Sequence, residues 1–141
     1  MRKTFVPSIL LVALAVTACA STATMRTEPL DRGVVRYYRA DANETVKTVV
    51  AVMTSLGFRV EVPEQLTPDA WVVLGEKEAS LFSWGEVVRT VVQADAKNGV
   101  AVRVMTKRVL ATNITAKGDW SRDILDGVAR TLGSKATAGS N

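Results

Sequence analysis

Two stretches rich in β-branched residues, Val87 to Ala94 and Val100 to Arg108, stand on either side of Lys97-Asn98-Gly99. That pairing constrains the fold more than any other feature of the chain. Branching at Cβ suits the pleated surface of a strand, and Gly99 suits the left-handed third position of a three-residue loop, so the two runs are predicted to close as a hairpin. The loop then pairs Ala96 with Val100 and decides which side chains share a face. One face carries Ala94 with Val102, Val92 with Val104 and Thr90 with Thr106; the other carries Gln93 with Arg103, Val91 with Met105 and Arg89 with Lys107. The first set is assigned to the core. A lone hairpin is not stable in water, so other segments must cover that face.

The covering segments are legible upstream and downstream. Val34, Val35, Tyr37 and Tyr38 predict a first strand ending near Ala40. Asp41-Ala42-Asn43-Glu44 then has the form of a capping box. It opens a helix whose Val46, Val49, Val50, Met53 and Leu56 follow helical spacing and which Gly57 terminates. Phe58, Val60 and Val62 alternate with polar residues up to Pro63, which predicts a short second strand. A third runs from about Ala70 to Glu76, with Trp71, Val73 and Gly75 on one side and Val72 and Leu74 on the other. Near the end, Asp119 or Ser121 caps a helix with the stripe Ile124, Leu125, Val128 and Leu132, ended by Gly133.

The order is strand, helix, four strands, helix. The expected fold is therefore α+β: an antiparallel sheet of about five strands with two helices on one face. With 141 residues there is room for one domain, placed at 33–133. Residues 20–32 are rich in Ser, Thr and Ala with no apolar period, and with residue 19 they are expected to form a flexible tether. A polar tail, 134–141, is expected to be disordered.

The first 20 residues have a different character. Arg2 and Lys3 precede an apolar run from Phe5 to Val16, which gives way to Thr17, Ala18, Cys19 and Ala20. Charge, length and order are those of a secretory signal peptide, placed at 1–18; the run is too short for the roughly 20 apolar residues a membrane span needs. Val16-Thr17-Ala18-Cys19 resembles the lipobox of bacterial lipoproteins. The resemblance implies cleavage between Ala18 and Cys19, a diacylglyceryl group on the Cys19 thiol and acylation of the new amino group, including palmitate. Ala20, in place of Asp, resembles the class sorted to the periplasmic face of the Gram-negative outer membrane. Two or three acyl chains suffice for stable anchoring where one does not. The alternative, cleavage after Ala20 at an ordinary Ala-x-Ala site, discards the cysteine and leaves a soluble secreted protein. With the lipobox, the element order resembles a group of small Gram-negative lipoproteins of unassigned function, and it is similar to the helix-grip domains of outer-membrane barrel-assembly lipoproteins.

Composition narrows the chemistry. The chain has no histidine and one cysteine, which removes the commonest general base and metal ligand, every Ser/His/Asp or Cys/His constellation, and any internal disulfide. No cofactor, metal site or catalytic residue is assigned. Acids group at Glu76 with Glu78 and at Asp119, Asp123 and Asp126, and each is expected to be a solvated charge or a cap. Without Arg2 and Lys3 the chain carries 16 basic and 14 acidic groups, too even a balance to steer it to nucleic acid.

Two features suggest contact with a partner. Arg89, Arg103, Lys107 and Arg108 gather positive charge on the hairpin, where Met105 lies between them, and Leu81-Phe82-Ser83-Trp84-Gly85 places apolar residues in a loop. Met, Arg and aromatic side chains are enriched at interface cores. The partner face is therefore expected on the outer side of the hairpin, using Phe82, Trp84, Arg89, Arg103, Met105 and Lys107. The expected function is that of a non-enzymatic, membrane-anchored interaction or envelope-maintenance module that meets an envelope protein or peptidoglycan. The alternative is a lipoprotein that binds a small ligand in a cleft between sheet and helix.

Overall fold

Ten residues of β5 (Glu86–Asp95) and ten of β6 (Gly99–Arg108) form the hairpin at the centre of the fold. The computed structural model describes residues 20–79, 85–109 and 118–138. Pairing within the hairpin joins Asp95 to Gly99, Ala94 to Val100, Val92 to Val102, Thr90 to Val104, Arg89 to Met105 and Val87 to Lys107. This differs by two residues from the expected register. The reason is Asp95, whose Oδ1 accepts from the backbone N of Lys97 at 2.8 Å and of Asn98 at 3.0 Å. That turn starts one residue earlier than a Lys97-Asn98-Gly99 loop would, so the loop is Ala96-Lys97-Asn98. Gly99 follows it at φ +92°. A shift of two preserves the side-chain parity, and Val92, Val102 and Val104 lie on the core face as expected.

The remaining strands are β1 (Val34–Tyr38), β2 (Arg59–Val60), β3 (Glu64–Thr67) and β4 (Ala70–Lys77). The sheet has six antiparallel strands in the order β1-β6-β5-β4-β2, with β3 also paired to β4. Both β2 and β3 lie along the β4 edge that β5 leaves free. They replace the single strand expected there. The chain steps out of register before Pro63, which cannot donate to a ladder, and leaves Val62 89% exposed.

Helix α2 (Ala42–Ser55) begins where expected, with Asp41 accepting from Glu44 N at 3.0 Å, and ends at Gly57 with φ +84°. Helix α3 is Ser121–Ala138. It runs through Gly133, contrary to the expected stop and to the expected tail from 134, because that glycine keeps a negative φ. Both helices cover one face of the sheet. Val46, Val49, Val52 and Met53 of α2 and Ile124, Leu125 and Val128 of α3 close over Val73, Val88, Val92, Val102 and Val104. The two helices pack tightly: a Cβ at Gly127 would lie 2.6 Å from Val52 Cγ1. The fold is α+β, with three helices rather than two.

The third helix is the main departure. Residues 20–32 are not a free tether: α1 (Thr22–Arg26) forms at their start, closed by a capping box between Ser21 and Thr24. It lies on the opposite face of the sheet from α2 and α3, where fully buried Met25 joins Val72, Leu74, Val87 and Val91 in a second apolar cluster.

Candidate functional site

The N-terminal segment and the sheet face beneath it form the most elaborated polar arrangement among the described residues. Its centre is Arg89, whose side chain sits on the outer face of β5 and is 1% exposed. Nη1 donates to Met25 O at 3.1 Å and to Glu28 O, while Nη2 donates to Pro29 O at 2.7 Å. Three carbonyls of one segment thus meet one planar guanidinium, which suits the fork geometry of arginine. Burial pulls the Arg89 pKa below its ordinary value, an effect opposed by the charges of Glu28 and Asp31. The guanidinium nonetheless stays charged, its unperturbed pKa being far above neutrality.

Ion pairs secure the rim. Arg26 pairs with Glu61 and Glu64 at the β4 edge, and Lys107 pairs with Glu28. The hydrogen bond from Lys107 holds the Glu28 carboxyl below the usual carboxylate range, with the Lys107, Arg32 and Arg89 charges adding to it. At its start the segment touches the end of β6, where Ala20 N donates to Val109 O at 3.2 Å. At its end Gly33 turns into β1 at φ +114°, and a Cβ there would lie 2.3 Å from Val104 O.

These contacts reassign the expected partner residues. Arg89 is buried beneath the chain's own segment, Met105 packs partly buried against the second cluster, and Lys107 is engaged by Glu28. Arg103 is half-buried. Phe82 and Trp84 lie outside the described residues, as do Ala18 and Cys19. The large apolar side chains left exposed are Leu30, Val34, Val35 and Tyr37 in and just before β1, and Val62 and Leu66 at the opposite side of the sheet.

A smaller cluster at the other face was not anticipated. Glu86 is 4% exposed, and its carboxylate accepts from Gly118 N at 3.1 Å and from Trp120 Nε1 at 2.8 Å. Lys77 Nζ sits 3.9 Å above the Trp120 ring, and Phe58 meets that ring edge-on at 5.3 Å. The arrangement holds the entry to α3 against the sheet. Its sequence signal was slight: a glutamate opening a strand otherwise dominated by valine.

Four of the acids singled out in the sequence have partners. Glu76 and Glu78 pair with Arg59, Asp119 accepts from Ser121 N at 2.8 Å, and Asp126 accepts from Arg36 at 2.7 Å. Among the described residues there is no group of three or more His, Cys, Asp or Glu able to hold a metal ion, and no helix is long and apolar enough to cross a membrane. The chain matches no protein-family model, and a search of the curated proteins finds no match.

Proposed function

We propose that this chain is a lipid-anchored protein of the periplasmic face of the Gram-negative outer membrane, acting as a non-enzymatic interaction or envelope-maintenance module. The observation that carries the reading is the lipobox-like Val16-Thr17-Ala18-Cys19 at the end of an export segment. The described residues begin at Ala20, so a mature chain beginning at Cys19 keeps all of them. The absence of histidine from the chain favours a non-enzymatic role. Close packing between sheet and helices favours surface binding over a ligand cleft: a Cβ at Gly75 would already lie 2.7 Å from Met53 Cε. The surface offered to an envelope protein or to peptidoglycan is the β1 edge, with Leu30, Val35, Tyr37 and the cation of Arg103 near it.

The test is Cys19→Ser. The variant is expected to lose metabolic labelling by palmitate and to leave the outer-membrane fraction or accumulate as precursor. Labelling that persists in the variant overturns the reading.

A further inference from the structure

The lipid-bearing end of the chain and one end of the sheet coincide, and we infer that the domain is held against the bilayer in a single orientation, with the Val109 end toward the headgroups. This rests on the lipid anchor proposed above. A mature chain beginning at Cys19 has one residue before Ala20, and one residue of extended chain reaches only about 3.5 Å. Ala20 N is bonded to Val109 O at the end of β6, and Ser21 already caps α1. From there Met25, the Arg89 fork and the Arg26 and Glu28 ion pairs fasten the segment to the sheet. No slack is left between lipid and domain.

The strand register says which parts lie near the membrane. Arg108 pairs with Glu86, and Glu86 with Lys77, so the end of β4, the start of β5 and the end of β6 share the Ala20 end of the sheet. The hairpin turn at Lys97 and Asn98 lies at the opposite end, ten β6 residues away, which at about 3.4 Å per residue puts it about 34 Å from the bilayer. The β1 strand runs from Val34, opposite Val104, toward the turn end at Tyr38, opposite Val100. The exposed edge of the domain therefore stands away from the lipid and faces the periplasm. Charge does not set this orientation: among the described residues, Arg59, Lys77 and Arg108 at the membrane end are outnumbered by Glu76, Glu78, Glu86 and Asp119. The fastening of the N-terminal segment does.

The experiment uses the full lipidated chain, purified from envelopes and reconstituted in vesicles of phosphatidylethanolamine and phosphatidylglycerol doped with a headgroup spin-labelled lipid. Glu78→Cys and Lys97→Cys, both at exposed positions, are made separately and labelled with a thiol-reactive fluorophore. Acylated Cys19 has no free thiol, so one label per chain is expected. Two labels per chain, or a mature chain that begins at Ser21, overturn the anchor and the orientation with it. With one label, strong quenching at Glu78→Cys and none at Lys97→Cys is the expected result. Equal quenching at both positions, or more at Lys97→Cys, overturns the orientation while leaving the anchor in place. A Gly/Ser insertion of about ten residues between Ala20 and Ser21 adds a span of about 17 Å and should abolish quenching at Glu78→Cys. Quenching that survives the insertion equally overturns the claim that the fastened segment sets the orientation.

Discussion

Arg89 Nη2 donates to the carbonyl of Pro29 at 2.7 Å, across sixty residues of sequence. The bond joins the central strand of the sheet, β5, to a segment whose composition is that of a linker. A buried cation is costly unless its donors are satisfied, and here the backbone of the N-terminal segment supplies acceptors to both terminal nitrogens, leaving Nε without one. The two parts are therefore mutually dependent: the segment covers the charge, and the charge orders the segment.

Arg89→Ala is expected to lower unfolding free energy by about 2–3 kcal/mol, the range for losing hydrogen bonds to a charged group and leaving acceptors unmatched. Arg89→Lys should recover only part of this, since an ammonium cannot present a planar fork to three carbonyls. Denaturant titration measures the loss. Amide exchange should accelerate first at residues 22–26, and unchanged protection there would mean that the guanidinium does not hold α1 down.

Removing the segment altogether separates a cover from a tether. A chain beginning at Ser21 should be monomeric, melt cooperatively and ignore reductant, having lost its one cysteine. A chain beginning at Gly33 uncovers Val72, Leu74, Val87 and Val91 around an unpaired Arg89. At roughly 25 cal/mol per Å² of apolar surface, that exposure costs several kcal/mol and should bring aggregation or binding of a hydrophobic dye. Two chains of equal stability would show that the cover contributes nothing.

The sequence carried most of the helix-covered face and little of the other. Val92, Val102 and Val104, the Asp41 cap and the stripe Ile124, Leu125 and Val128 follow from periodicity, because each pattern repeats several times. Residues 20–32 offer two large apolar side chains, Met25 and Leu30, too few for a period to detect. The missing signal lay in β4 and β5, where Val72, Leu74, Val87 and Val91 make the second face apolar too. A sheet apolar on both faces needs cover on both, and no other described element was free to supply it. The β3 strand escaped notice for a related reason: Glu64, Gln65, Leu66 and Thr67 are all exposed and are held in the sheet by backbone pairing. The two-residue slip of the hairpin came from a side-chain-to-backbone bond at Asp95, which competes with loop-length rules that consider Gly99 alone.

Tyr38 gives a prediction with a pH signature. It is 9% exposed at the end of β1, and its hydroxyl donates to Leu125 O at 2.7 Å, tying the edge strand to α3. Burial raises the phenol pKa, against a smaller opposite pull from Arg36. The neutral phenol is the folded form, so this contribution is intact below the unfolded value of about 10 and is lost as pH rises from there through the folded pKa. Tyr38→Phe should cost about 1 kcal/mol at neutral pH and should remove that alkaline loss from the stability profile. Tyr37→Phe, at a half-exposed position, should do neither. Denaturation midpoints across alkaline pH, read beside phenolate absorbance, decide the matter.

Two glycines test the helix and turn assignments in opposite directions. Gly133 lies within α3 with helical handedness, and nothing comes within 4 Å of a Cβ built there. Gly133→Ala should therefore stabilise the protein by about 0.5–1 kcal/mol, the propensity difference between the two residues in a helix interior. If Gly133 instead ended the helix in a left-handed conformation, as its position after Leu132 first suggests, the same substitution would destabilise. Gly99 sits at φ +92°, and its Cβ would lie 2.4 Å from Tyr38 O. Alanine there is strained in the backbone and collides with a carbonyl that cannot rotate away, so Gly99→Ala should cost more than the roughly 1 kcal/mol of a left-handed conformation alone. Thermal melts of the two single variants, performed side by side, should move in opposite directions from the parent; a shift of Gly133→Ala downward would return the end of α3 to residue 133.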